Sequence, residues 1–163
     1  MRNNMPTSFP EGVREVTIVM SELYKAAPPK TMLDIGIGHG LYGPLFRSLF
    51  PLCHICGIEI CESHKTHHWQ AYSETIIGDI QDHSDALGNY DLVFMGDVIE
   101  HLPKKMGQGL LGRCKKYVVV TPLGFQENDA TGYEKHVSGW YAEDFANSRV
   151  FKVPVYEKVI GWN

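Results

Sequence analysis

Four carboxylates stand where short apolar runs of the chain end: Asp34 in MLDIG, Glu59 in HICGIEI, Asp79 in ETIIGDI and Asp97 in YDLVFMGDV. Around the first of them lie Gly36, Gly38, Gly40 and Gly43, and no Lys or Arg occurs between Thr31 and Phe46. Backbone without side chains lets a ligand approach closely, and acids beside it attract positive charge. Gly38-x-Gly40-x-x-Gly43, with Glu59 about twenty residues further on, also matches the dinucleotide fingerprint, in which an acid meets a ribose hydroxyl. A pyrophosphate, however, wants helix N-terminal amides and no nearby anion. Asp34 speaks against it. A nucleoside carrying a positive sulfonium and a positive amino group suits these acids better. The plainer reading of Asp34 and Asp79 is that they cap the helices that follow.

Other residues offer different chemistry. His101 and His136 are candidate general bases, because imidazole titrates near neutrality. The structural alternatives are a loop contact for His101 and a surface position for His136. Cys53, Cys56, Cys61 and His64 supply zinc-type donors at close spacing. The Cys53-x-x-Cys56 pair nevertheless runs into an apolar strand pattern, so core thiols and no metal site are expected, with Cys114 also a free thiol. His64, His67 and His68 read as residues on a helix surface. The long polar stretch 123–139 contains Glu127, Asn128, Tyr133 and His136, and long loops in small domains are often functional. Asn128, Tyr133 and His136 are the candidates for binding a substrate.

These groups need a frame. Apolar positions Val13, Val16, Val19, Met20, Leu23 and Tyr24 recur at helical spacing and predict a helix over 10–25. Strands are expected at 31–35, 54–60, 74–80, 90–98 and 116–122. Helices are expected at 41–50, with Pro44 tolerated in the first turn, and at 62–72, 99–113 and 139–147. One or two strands close the chain. Continuous apolar strands alternating with helices point to an α/β fold: a three-layer α-β-α sandwich on a mostly parallel, open, twisted sheet of six to seven strands. A single domain over 1–163 is expected, with an N-terminal helix and cap over 1–29 and a core over 30–163. Ligands of such sheets bind at the carboxyl ends of the strands, where the four acids lie.

Composition narrows the function classes. The chain has 163 residues, 44% hydrophobic against 21% charged, which suits a packed domain rather than disorder. A formal charge of −4 argues against nucleic acid as partner. The basic cluster Lys104, Lys105, Arg113, Lys115 and Lys116 reads as a solvated helix end. No apolar run reaches the roughly 20 residues of a membrane span, and the start MRNNMPTSFPEG is polar, so no membrane association and a cytoplasmic location are expected.

The segments LDIGIGHG (33–40), GIEI (57–60), GDI (78–80) and YDLVFMGDVIEHLP (90–103) together resemble the class I S-adenosylmethionine-dependent methyltransferases. The last is the most specific, and VVVTPLG (118–124) and KHVSGWYAEDF (135–145) resemble members acting on small molecules or sugars. The resemblance covers about residues 31–147. It implies a Rossmann-like fold and S-adenosyl-L-methionine as cofactor. Asp34, Gly36, Gly38 and Gly40 would hold the amino acid end. Glu59, followed by Ile60, would accept the ribose hydroxyls. Asp79 would face the adenine amino group, with Ile80 on the ring. Gly96 and Asp97 would border the sulfonium. The acceptor implied is small and polar, of sugar or natural-product type. No Asn- or Asp-Pro-Pro-Tyr stretch follows the fourth strand, which discounts nucleic-acid bases. The chain is short for the family and lacks its usual cap insertions, so a homodimer or a partner chain completing the substrate site stays open. So do two alternatives: an NAD-dependent oxidoreductase, and a non-catalytic cofactor-binding subunit of a larger complex.

Overall fold

A computed structural model describes residues 10–163. The part of the expected N-terminal cap before Pro10 lies outside them. Seven strands form one sheet: β1 (Thr31–Ile35), β2 (His54–Glu59), β3 (Glu74–Ile77), β4 (Leu92–Gly96), β5 (Tyr117–Pro122), β6 (Asn147–Lys152) and β7 (Glu157–Trp162). Their order is β3-β2-β1-β4-β5-β7-β6. The first five run parallel, and β7 lies antiparallel to both β5 and β6. The chain winds outward from β1 to β3, then returns to place β4 on the other side of β1. The carboxyl ends of β1 and β4 are therefore the point where strand order reverses, and a crevice opens there.

Alternation along the strands explains the layers. Met32, Ile55, Leu92, Phe94, Val118 and Val120 face one side and join the buried Val16, Val19, Met20 and Phe46 of α1 (Pro10–Tyr24) and α2 (Tyr42–Leu49). Leu33, Ile35, Ile58, Val93, Met95 and Val119 face the other, where α3 (Lys104–Arg113) lies and Leu110, Leu111, Trp140 and Phe145 pack. Both faces are covered, so the central strands carry almost no exposed positions. Asp91 accepts hydrogen bonds from Lys30 N and Thr31 N at 2.9 and 3.2 Å, which ties the start of β1 to the loop before β4.

Three expected helices are corrected. Residues 62–72 form two short 3-10 turns, Glu62–His64 and His67–Ala71, rather than an α-helix. Thr66 breaks the run: its hydroxyl donates to His39 O at 2.7 Å and accepts from His68 N at 3.1 Å. Such side-chain bonds to backbone compete with the helix. The expected helix 99–113 is split, because Pro103 disfavours helical backbone at Leu102. Ile99–His101 is a separate 3-10 turn before α3. Residues 139–147 hold only the turn Ala142–Asp144 before β6 begins. Ile80–Asn89 is a 3-10 run, which Asp79 caps through Gln81 N at 2.9 Å.

Lys104 is not a solvated helix end. Its ammonium donates to Gly139 O at 2.6 Å and to Asp144 Oδ2 at 2.5 Å, and stands 4.0 Å from the Trp140 ring centre. Cys53 and Cys56 are buried, and all four cysteines are free. No helix of the described residues is long and apolar enough to cross a membrane.

Candidate functional site

Two cavities meet at the strand-order reversal. One, of about 390 Å³, is bounded by the glycine loop, Gly96, Asp97, Glu100, His101 and His136. The other, of about 230 Å³, is bounded by Glu59, Ile60, Asp79, Ile80, Leu102 and Tyr133. They share Gly36, Gly38, Asp97, His101 and Glu134.

The glycine loop is shaped by left-handed backbone. Gly36, Gly38 and Gly40 have φ of 67°, 50° and 78°, values a side chain disfavours. A Cβ at Gly36 would also stand 2.4 Å from a methyl of Val98. Glu59 pins this loop. One carboxylate oxygen accepts from Gly38 N at 2.7 Å. The other accepts from Cys61 N at 3.0 Å and meets His64 Nδ1 at 3.2 Å. The acid thus sits at the floor between β1 and β2, buried and held on both oxygens.

Of the ten positions expected to hold a cofactor, Gly36, Gly38, Glu59, Ile60, Asp79, Ile80, Gly96 and Asp97 line the cavities. Asp34 and Gly40 do not. Asp34 is buried beneath the loop and accepts from Tyr72 Oη at 2.6 Å. Burial pushes its carboxyl up to about 7, with Glu59 adding repulsion and the Tyr72 hydroxyl opposing. Gly40 packs against Trp69 so closely that a Cβ there would stand 2.8 Å from the indole ring. Both support the loop from below. Within the loop, His39 Nδ1 meets His64 O at 3.0 Å, so this nitrogen donates. Nε2 of His39 is buried and has no hydrogen-bond partner, and His39 borders the larger cavity.

Asp97 has φ of 57°, alone among described non-glycine residues in the left-handed region. Asp tolerates this conformation better than most, and strain of this kind gathers at functional positions. Lys158 of β7, itself 1% exposed, donates to both carboxylate oxygens of Asp97 at 2.5 Å. Sequence reasoning misses this cation, which lies far along the chain in the closing hairpin. It changes the electrostatics. Asp97 is neutralised by a partner and Asp34 is withdrawn from the cavity. Glu59, Asp79, Glu100 and Glu134 remain as acids on the cavity walls.

At the other end stand the two histidines. His101 Nδ1 meets Lys135 O at 3.2 Å and His136 Nδ1 meets Gln126 O at 2.6 Å. A carbonyl only accepts, so both Nδ1 atoms carry a proton, and in the neutral ring Nε2 is the atom with the lone pair. The rings lie edge to face with centres 4.9 Å apart. Burial lowers the His101 pKa, and neighbouring His136 lowers it further against its backbone partner. Glu100, also missed, is buried beside them and accepts from Thr121 Oγ1 at 2.9 Å. Burial first and Asp97 second push its carboxyl up to about 8. Asn128 staples the loop, accepting from His136 N at 3.1 Å and donating to Glu134 O at 2.8 Å, while lining the larger cavity. Tyr133 is 70% exposed and borders the smaller cavity, away from His136. Glu127 lines neither cavity, and no described residue of α1 does.

A family model described as a methyltransferase domain matches residues 33–119. Curated proteins show no match to the sequence. Among solved structures, the chain superposes on an O-methyltransferase family protein from Burkholderia thailandensis with a TM-score of 0.59 at 14% identity, over 91% of this chain and 55% of that one. On coclaurine N-methyltransferase bound to N-methylheliamine and SAH the TM-score is 0.61 at 14% identity, over 93% and 53%. A protein from Pyrococcus horikoshii OT3 matches with a TM-score of 0.64 at 14% identity, over 98% and 93%. At these identities the likeness is one of fold. The chain spans about half the length of the first two.

Proposed function

We propose, for a chain that belongs to the methyltransferase domain family, that the joined cavities hold S-adenosyl-L-methionine and that its methyl passes to a small polar acceptor at the His101–His136 end. The observation that carries this reading is the placement of Glu59. A carboxylate pinned on both oxygens by Gly38 N and Cys61 N stands between the glycine loop and the cavity of Asp79 and Ile80. The oxygen that accepts from Gly38 N keeps a second lone pair for a ribose hydroxyl.

The residues present suit that cofactor. Nε2 of His39 is an orphaned buried acceptor, fitting a donor such as an amino group. The acids on the walls suit positive charge, and the loop carries no cation for a pyrophosphate. Ile80 offers an apolar wall and Asp79 an acceptor on the adenine side. When bound, the cofactor supplies a methyl already activated on a sulfonium. The chain's part is to position and to exclude water. Gly96, the last residue of β4, lines the larger cavity, and Asp97 after it lines both. Neutral His101 or His136 would take a proton from a hydroxyl acceptor, if the acceptor must lose one. Asn128 and Glu134 offer polar contacts there. A sugar or natural-product acceptor is the class we favour. A second chain that completes the acceptor side, and a cytoplasmic site of action, belong to the same proposal.

Calorimetric titration with S-adenosylhomocysteine, with NAD as control, tests the cofactor. Micromolar binding of the first and none of the second is expected. Heat with NAD alone, or with neither, would overturn the reading.

A further inference from the structure

The sequence pattern leads one to expect no metal, and the cysteines do not gather into a site. Three other residues do. Glu100, His101 and His136 each offer one ligand atom, and these atoms lie within 4.8 Å of one another. Around an ion with bonds of about 2.0–2.2 Å, ligand atoms stand roughly 3–4 Å apart. Atoms spread over up to 4.8 Å would have to draw together by about 1 Å to hold such an ion. We propose that Glu100, His101 and His136 form a binding site for a divalent ion of the zinc class at the acceptor end of the larger cavity.

Three independent features support this. Two imidazoles and one carboxylate are the donor set that borderline divalent ions prefer. Each histidine gives its Nδ1–H to a backbone carbonyl, His101 to Lys135 O and His136 to Gln126 O. That outer bond is the one that orients metal-ligating histidines and leaves Nε2 for the ion. The wall also carries further negative charge: Glu134 borders the same cavity.

Three protein ligands leave positions open toward the cavity. An oxygen of the acceptor fits there. This step rests on the methyl-transfer reading and narrows it to hydroxyl acceptors. The hydroxyl, acidified by the ion, releases its proton to water. Its oxygen lone pair forms the new C–O bond, and the methyl C–S bond breaks with its electron pair passing to sulfur. His101 and His136 then act as ligands rather than as bases.

The test uses the full chain, stripped with EDTA and titrated separately with Zn²⁺ and Co²⁺. One ion per chain at micromolar affinity is expected, weakened at least 100-fold in His136→Ala and in Glu100→Gln. The Co²⁺ visible bands should shift on adding azide, which reports an open position. An unchanged far-UV circular dichroism spectrum and a cooperative urea transition show that His136→Ala is folded. Equal metal affinity in wild type and folded His136→Ala would overturn the site, as would absence of one-to-one binding. Bands unmoved by azide would overturn the open position. Metal binding without S-adenosylhomocysteine binding would keep the site and sink the cofactor reading. The converse would do the reverse.

Discussion

On one side of the crevice Glu59 holds Gly38 N and Cys61 N, so the acid, the loop it braces and the strand that carries it lie close together in space and near in sequence. On the other side the bonds span longer stretches. Val137 N and Ser138 N reach Glu100 O at 2.9 and 3.1 Å, Lys104 reaches Gly139 O, and Lys158 reaches Asp97 across 61 residues. The first half is braced by strand ends that the sheet itself fixes. The second is braced by side chains that tie irregular backbone to those ends. A crevice built this way has a rigid cofactor wall and an acceptor wall whose geometry depends on a few polar contacts. Changes on each side should therefore have separable effects.

The largest effect is expected from Asp34, beneath the rigid half. Its carboxyl titrates near 3.8 in an open environment and is pushed up to about 7 by burial. The folded chain thus holds this proton over a range in which the unfolded chain has lost it. Stability contributed by the protonated group is full below about pH 4 and is lost as pH rises toward about 7. The span corresponds to at most about 4 kcal/mol. Asn in its place keeps an oxygen for the Tyr72 hydroxyl and carries no proton to lose. Asp34→Asn should flatten the fall in stability between pH 5 and pH 8, leaving the part due to Glu100. Urea unfolding at several pH values measures it. Parallel curves for the two proteins would show that Asp34 is already ionised and paired in the fold.

Next in size is the effect on ligand binding of Glu59→Gln. Volume is kept, but one acceptor oxygen becomes a donor facing either Gly38 N or Cys61 N. Hydrogen bonds to a charged group contribute about 1.5–3 kcal/mol, so affinity for S-adenosylhomocysteine should fall roughly 10- to 150-fold. The Zn²⁺ affinity of the distant cluster should not change. If both fell together, the two halves would be coupled and the contrast between them would fail.

The same contrast explains what is legible in the sequence. Asp34, Glu59, Asp79 and Asp97 stand out because each ends an apolar run, and strand ends of a parallel sheet converge on one crevice. Eight of the ten expected cofactor positions line it. Asp34 and Gly40 do not, because spacing says that a residue ends a strand but not whether it faces the cavity or the layer below. The 3-10 turns at 62–71 look like a helix in the sequence, since residue spacing does not register a Thr hydroxyl that bonds to backbone. On the acceptor side little is legible. Glu100 sits within the DVIEHL stretch and could be flagged, but its contact with Thr121 and its nearness to His136 come from tertiary closure. Lys158 lies in a strand whose antiparallel pairing with β5 brings it to Asp97, and no local signal announces that.

The smallest effect isolates the acceptor wall. Lys104 joins α3 to the segment after the long loop, donating to Gly139 O and Asp144 while its ammonium sits over Trp140. Trp140 in turn donates to Ile99 O at 3.2 Å and to Ser138 Oγ at 2.9 Å. Ile99 precedes Glu100 and His101, and Ser138 follows His136. Lys104 therefore braces, through Trp140, the two segments that carry the histidine pair. Met keeps the packing of the aliphatic stem over the ring and removes the ammonium. The site is partly exposed, so Lys104→Met should cost only about 1 kcal/mol of stability. S-adenosylhomocysteine affinity should be unchanged within about twofold, because no brace of the Glu59 wall passes through Lys104. Zn²⁺ affinity should fall severalfold, because the loop bearing His136 is held less firmly. Urea unfolding and the two titrations measure these three quantities on one variant. A loss of S-adenosylhomocysteine binding as large as the loss of Zn²⁺ binding would mean that the crevice responds as one body, and that its two walls are not independently braced.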